Sequence, residues 1–270
     1  MAVERIDTAD DGRLAPYRAL PEHEDQLREG LFVAETREVV RQLLDGSRFG
    51  VHSVLLTEAA RSALADTLDR RPEVPVYVAP LTALKAVVGF DFHRGCLALG
   101  ERGPEPSVDA ILSAAPRRLV LLENVSNPDN VGGALRVARA LGADAVLLSP
   151  GCADPLYRKA VRVSTGAVLR LPWARVPDWR AALARLRGDD IALIALTPRG
   201  DTDVAALSGT VPAPGRCALL LGAEGMGLRA DTLAAADVRL RIPMTDGVDS
   251  LNLITACAVA LDRLGGARRS

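Results

Sequence analysis

The sequence is poor in aromatic residues, which make up 3% of its 270 positions. That is too few for an open platform on which single-stranded bases stack in succession. There are three histidines, none close to another, so no metal site built on histidine is expected. The four cysteines, Cys96, Cys152, Cys217 and Cys257, lie at least 40 residues apart. No pair has metal-site or redox-motif spacing, so free thiols and a cytoplasmic location are expected. No apolar run approaches the ~18 residues of a membrane span. The opening MAVERIDTADDGRL is charged and lacks the apolar core of a secretory signal. Lysine is nearly missing, since only Lys85 and Lys159 are found among 33 basic residues. That bias fits a GC-rich coding sequence and is not read as a sign of RNA binding.

What remains is ordinary globular composition, 49% hydrophobic and 25% charged. The net charge of −1 hides a split: residues 1–106 carry −5 and residues 107–270 carry +4. A mildly basic second half suits a polyanionic partner, though only weakly.

The hydrophobic pattern predicts an α/β fold in two parts. Residues 1–20 read as an irregular arm or a first helix. Strands are expected at 31–34, 51–57, 74–80 and 94–101, with helices at 35–44, 58–69 and 81–89 between them. This order makes a small α/β domain over 1–106. Residues 107–116, at the end of a proline-containing stretch with a short possible helix, read as the linker. The second domain, 117–270, opens on RLVLLENV (118–125), a nearly all-apolar strand. Further strands are expected at 145–150, 168–176, 191–198 and 238–244, and 217–227 reads as a strand running into a glycine-rich loop. Helices are expected at 131–141, 155–163, 178–187 and 249–264. Such alternation implies a parallel sheet covered on both faces.

Three segments carry more polar and glycine residues than their elements need. In ENVSNPDNVGGALR (123–136), Asn130 is placed to cap a helix that starts with Gly132 and Gly133, and Arg136 follows one to two turns in. The glycines let a ligand or another backbone approach. In LLLGAEGMGL (219–228), a buried strand empties into three glycines around one acid, Glu224. Its glycine spacing matches neither a dinucleotide fingerprint nor a phosphate loop. In IPMTDGVDSLNLITACAVAL (242–261), Ser250 is available as a helix cap, whereas Asn252 is a poor helix former one turn in. The last helix is apolar on nearly every side, as for a buried helix partly in a subunit interface.

In order, these segments resemble the three signature motifs of the SpoU branch of the SPOUT RNA 2′-O-ribose methyltransferases. The motifs are Asn130-Val-Gly-Gly-Ala-Leu-Arg136, Leu221-Gly-Ala-Glu-Gly-Met-Gly-Leu228 and Ile242-Pro-Met with Ser250-Leu-Asn252. The stretch 153–164 is similar to the family as well, and the resemblance spans about 117–264. Residues 31–101 more loosely resemble the small RNA-binding domain of many members, through Phe32-Val-Ala-Glu35 and His93-Arg94-Gly95. The family often has glycine where this chain has Thr36.

The resemblance implies a C-terminal domain with a deep trefoil knot, S-adenosylmethionine (SAM) as cofactor, and an obligate homodimer with shared active sites. It assigns Gly222, Ile242 and Leu251 to SAM contact and Asn130, Arg136, Glu224, Ser250 and Asn252 to a polar catalytic set. Three strand-end loops, at about 197–200, 222–227 and 242–251, are expected to build the pocket. They bring in Thr197, Gly227 and Met244, the last suited with Ile242 and Leu251 to an apolar adenine slot. A ribose hydroxyl is a poor nucleophile that must lose its proton. Arg136 either takes that proton or anchors the phosphate and the developing alkoxide. Since guanidinium keeps its proton below a pKa of about 12, the first role needs a perturbed site. Glu224 is expected to position Arg136 or another donor. Arg158, Lys159 and Arg162 form a basic cluster on one helix suited to a phosphate backbone, with His93 and Arg94 as further RNA contacts. The cysteines read as small hydrophobes.

The expected activity is therefore methyl transfer from SAM to a ribose 2′-hydroxyl of RNA. Ribosomal RNA is favoured over transfer RNA by analogy of the first domain. Alternatives are a transfer RNA enzyme, an RNA-binding homologue without catalysis, and a dehydrogenase, which the absent early glycine fingerprint disfavours.

Overall fold

The computed structural model describes residues 3–18, 30–88, 95–207, 215–247 and 249–265. The chain runs β1 (Val3–Arg5), β2 (Leu31–Glu35), α1 (Arg37–Leu44), β3 (Gly50–Leu56), α2 (Glu58–Ala63), α3 (Ala65–Asp69), β4 (Val76–Val78), α4 (Leu81–Val88) and β5 (Cys96–Glu101). It continues with α5 (Val108–Ser113), β6 (Arg118–Glu123), α6 (Pro128–Ala140), β7 (Ala145–Leu148), α7 (Arg158–Val163), β8 (Trp173–Arg175) and α8 (Trp179–Gly188). The last elements are β9 (Ile191–Leu196), β10 (Thr202–Asp203), β11 (Arg216–Gly222), α9 (Ala230–Ala235), β12 (Val238–Arg241) and α10 (Leu253–Arg263).

Two compact units form. One holds residues 1–104 together with 155–170, the other 105–154 with 171–270. The segment 155–170 thus belongs to the first unit, although it was expected in the second domain. Side chains explain why. Arg158 ion-pairs Glu35 at 3.0 Å, Gln42 donates to the Thr165 carbonyl at 3.1 Å, and Arg170 donates to the Asp45 carbonyl at 3.1 Å.

The first unit has a five-stranded sheet in the order β1-β4-β3-β5-β2. β1, β4 and β3 run parallel, and β5 lies antiparallel to both β3 and β2. The N-terminal arm departs from expectation: residues 3–5 add an edge strand, and a 3-10 turn over 12–17 buries Leu14 and Tyr17. The 58–69 helix is broken at Leu64, which is fully buried. At the end of β2, Thr36 sits at φ 84 and ψ 144, backbone space that β-branched residues avoid. Its hydroxyl caps α1 by accepting from Val39 N–H at 3.3 Å.

The second unit has a seven-stranded sheet in the order β10-β12-β9-β11-β6-β7-β8, with every pairing parallel. The central strands read as continuous apolar runs because both faces are covered. One face packs Leu119, Leu121, Leu193 and Leu220 against Ala182, Leu183 and Leu186 of α8. The expected strand 168–176 is shorter: a 3-10 turn occupies 167–169 after Gly166 at φ 79, and pairing begins at Trp173. The two-residue β10 gave no period-2 signal. The last helix begins at Leu253 rather than 249, because Asn252 ends the extended segment before it.

Thr36 supplies a stability test. A residue held in such backbone space costs about 1–3 kcal/mol, whereas replacing a threonine cap by glycine loses only a few tenths. Thr36→Gly should therefore raise stability by about 1 kcal/mol. A higher urea midpoint with unchanged slope would bear this out, and a lower midpoint would refute it.

Candidate active site

The chain leaves β6 toward β7 and β8 on one side, and β9 through β12 all lie on the other. Strand order therefore reverses between β6 and β11, and at such a switch point the loops after the strands part to leave a crevice. The carboxyl ends of β12, β9, β11 and β6 are neighbours there.

Three loops border this edge. After β9, Thr197 N–H donates to the Leu240 carbonyl at 2.9 Å and Gly200 N–H closes a turn on Thr197 at 3.1 Å. A Cβ on Gly200 would come within 2.7 Å of the Arg241 nitrogen, so this loop lies tight on β12. After β11, Gly227 N–H donates to the Ala223 carbonyl at 2.9 Å, with Gly225 and Gly227 at φ 83 and 66. A Cβ on Gly222 would strike the backbone of Gly227 and Leu228. Gly222 is thus required small by the return of its own loop, a steric reason that differs from the expected approach of a ligand. After β12, Ile242 and Met244 are half-buried and Leu251 is 37% exposed. Four large apolar side chains are exposed among the described residues, and two of them, Leu251 and Met226, stand on these loops. Uncovered apolar groups beside tightly folded backbone suit a flat, largely apolar ligand such as an adenine.

The polar residues converge on the same edge. Asn130 does not cap α6. That role falls to Asn127, whose side chain accepts from Asp129 N–H at 2.9 Å, and Pro128 takes the first helical position. Asn130 lies inside the first turn, 4% exposed. Asn252 is the cap of α10, not a residue one turn in: its Oδ1 accepts from Ile254 N–H at 2.9 Å. Its Nδ2 donates to Glu224 Oε1 at 2.9 Å and to Asn130 Oδ1 at 3.4 Å. Because only the amide oxygen can cap, the helix fixes which way the amide points.

Close packing of two helices brings these residues together. A Cβ on Gly133 would come within 2.6 Å of Ile254 Cγ1, so α6 and α10 touch where Gly133 has no side chain. Gly133 is three residues from Asn130, and Ile254 is two from Asn252.

The other expected residues are distributed differently. Glu224 makes no ion pair with Arg136 among the described residues; its partner is Asn252. Arg136 is exposed on α6, with no hydrogen-bond or ion-pair partner among the described residues. Ser250 is exposed, ahead of the cap. Arg158 is turned inward: its side chain is 13% exposed against an 8% exposed Glu35. It therefore cannot track a phosphate backbone as expected without breaking that pair. Arg162 is 46% exposed with Nη1 3.4 Å from Glu35, and Lys159 is exposed, so these two present charge to solvent. His93 and Arg94 lie outside the described residues. Burial pushes the Cys96 and Cys257 thiols up to about 12 and raises those of Cys152 and Cys217, so none is poised as a thiolate at neutral pH. Among the described residues no group of three or more His, Cys, Asp or Glu could hold a metal ion. One residue escaped the sequence reading altogether. Glu123, an acid closing the apolar run LVLLE, is 1% exposed at the switch point. A carboxylate at the end of a buried strand was the available signal.

Residues 117–262 match the SpoU rRNA Methylase family. A protein of Mycobacterium tuberculosis named uncharacterized tRNA/rRNA methyltransferase is 40% identical over 262 residues, 96% of this chain and 90% of the relative. The 23S rRNA (guanosine-2′-O-)-methyltransferase RlmB of Ralstonia nicotianae is 31% identical over 66% of this chain and 71% of its own. Among solved structures, the SpoU methyltransferase AviRb of Streptomyces viridochromogenes superposes with a TM-score of 0.77 at 25% identity, covering 94% of this chain and 96% of that one. That protein has also been crystallised in complex with AdoMet. The all-parallel α/β sheet with its strand order reversing at the centre is the fold shared with that methyltransferase. The chain belongs to the SpoU family of RNA methyltransferases.

Two substitutions check the geometry. Asn252→Asp keeps a good cap but sets a second carboxylate against Glu224, which raises the proton affinity of the pair. The folded state then binds a proton more readily than the unfolded chain, so stability rises as pH falls. Urea midpoints should show the variant gaining on the wild type between pH 7 and pH 5. A constant difference would mean that the two groups do not meet. Gly133→Ala should cost about 1–3 kcal/mol by overpacking, with part of the loss recovered by adding Ile254→Val.

Proposed function

We propose that this protein transfers a methyl group from SAM to a ribose 2′-hydroxyl of RNA, with ribosomal RNA as the substrate. The observation that carries the reading is the Asn130–Asn252–Glu224 network at the sheet switch point, bordered by loops with uncovered apolar side chains. RlmB, named for guanosine-2′-O methylation of 23S rRNA, supports the ribose and ribosomal assignments.

SAM, when bound, supplies an electrophilic methyl group on a sulfonium. Ile242, Met244 and Leu251 would shelter its adenine, and the folded backbone at Thr197, Gly222 and Gly227 would line its polar edge. Asn252, whose amide also donates to Asn130, holds Glu224 through Oε1, leaving Glu224 Oε2 for a substrate donor such as a ribose hydroxyl. Arg136, exposed and unpaired among the described residues, is free to meet the RNA. Its guanidinium suits a phosphate or an oxygen that gains negative charge during transfer. Ser250 supplies a further hydroxyl beside this site. Arg162 and Lys159 give the first unit charge for the RNA backbone. The trefoil knot, the homodimer and a cytoplasmic location belong to the same proposal. α10 supports the dimer, since its half-buried Ile254, Ala258 and Val259 leave apolar surface for a second copy to cover.

Arg136→Ala should lower methyl transfer by roughly a hundredfold or more, as for a removed transition-state contact, with SAM affinity nearly intact. Arg136→Lys should fail as well, because lysine lacks the planar fork. Labelled-methyl transfer to ribosomal and transfer RNA, with mapping of the product, tests both reaction and substrate. Near wild-type transfer by Arg136→Ala would sink the catalytic assignment.

A further inference from the structure

We propose that Glu123 is a positioning residue that clamps the 222–228 loop for SAM, an inference that rests on the assignment of this loop to the cofactor. Glu123 is the last residue of β6, and the parallel register sets it beside Gly222, where the loop begins. Its Oε2 accepts from Arg229 N–H at 2.9 Å, where the loop ends. Its Oε1 accepts from the Thr232 hydroxyl at 2.6 Å, and Thr232 Oγ1 in turn accepts from the Trp179 indole N–H at 3.2 Å. Glu123 therefore stands at both ends of the loop: backbone pairing sets it beside Gly222, and its side chain ties down the far end at Arg229.

Packing alone does not account for an acid here. Glu123 is 1% exposed, and its partners are a backbone N–H and a hydroxyl, with no cation paired to it among the described residues. Burying a carboxylate is costly, and an apolar residue would close the strand without that cost. The carboxylate offers what an apolar side chain cannot: two strong acceptors aimed at the first turn of α9. Leu228 is buried next to this anchor, whereas 224–227 are exposed. The loop is fixed at its base and open at its tip, as a backbone cradle for a ligand requires.

The amide of Glu123→Gln keeps one acceptor and sets an NH2 group against one of the two donors. Thr232 Oγ1 keeps a second lone pair beside the Trp179 N–H, but to accept from the amide its hydroxyl must turn away, and the charge-assisted bond it donated is lost. The clamp acts on loop geometry and not on the reacting atoms. The variant should therefore bind SAM about tenfold more weakly by calorimetry, a loss of about 1.4 kcal/mol, with kcat at saturating SAM within about twofold. Thr232→Val should weaken SAM similarly, Thr232→Ser should restore it, and the double variant should be little worse than either single one. A purely structural role would lower the unfolding midpoint and leave the SAM dissociation constant alone. A folded Glu123→Gln protein with wild-type SAM affinity overturns the clamp, and Thr232→Val carries the same test if that variant does not fold. Ile242→Asp and Leu251→Asp separate the two levels. If they weaken SAM while Glu123→Gln and Thr232→Val do not, the clamp alone is wrong. If they leave SAM binding untouched, the pocket is wrong and the clamp falls with it.

Discussion

The parallel pairing of β6 with β11 is the constraint on which the rest of the second unit depends. Residues about a hundred positions apart, Leu119–Leu122 and Ala218–Leu221, lie side by side at the centre of the sheet. Because the chain turns to one side after β6 and keeps β9 through β12 on the other, this pair marks the reversal of strand order. The end of β6 and the loop after β11 stay tied to each other there, since Glu123 accepts from Arg229 N–H. Apolar burial on both faces makes the pairing strong. The price is that register there cannot slip without moving Glu123 away from Gly222.

A second contact sets the chemistry upon that frame. α6 and α10 meet at Gly133 and Ile254, and the absence of one Cβ lets the helices approach. Two turns of helix then present Asn130 and Asn252 to each other at hydrogen-bond range, with Glu224 coming from the loop after β11. Capping makes the arrangement economical: the group of Asn252 that ends the extended segment is not the group that reaches Glu224. Its orientation is set by a helix and not by the network it serves.

In the first unit, Glu35 works in a similar way on a different segment. It ends β2, turns into α1 through the strained Thr36, and draws Arg158 and Arg162 of α7 toward the unit. The basic residues on this helix are thereby sorted. Arg158 is spent inside the fold, while Arg162 and Lys159 remain at the surface.

Much of this was legible in the residues. The apolar runs at 118–122, 191–196 and 217–221 fixed a buried parallel sheet, and ordered glycine and polar motifs fall where its strands end. The alternation of strand and helix patterns determined the α/β class. Only the tertiary structure decided which asparagine caps and which faces the site, because N-cap propensity is the same for Asn127, Asn130 and Asn252. It likewise decided that Glu224 meets Asn252 instead of Arg136, and that segment 155–170 joins the first unit. Each of these outcomes turns on contacts between residues far apart in the chain. A local pattern reports which face of an element is apolar, but it carries no information on which distant side chain will arrive opposite a polar one.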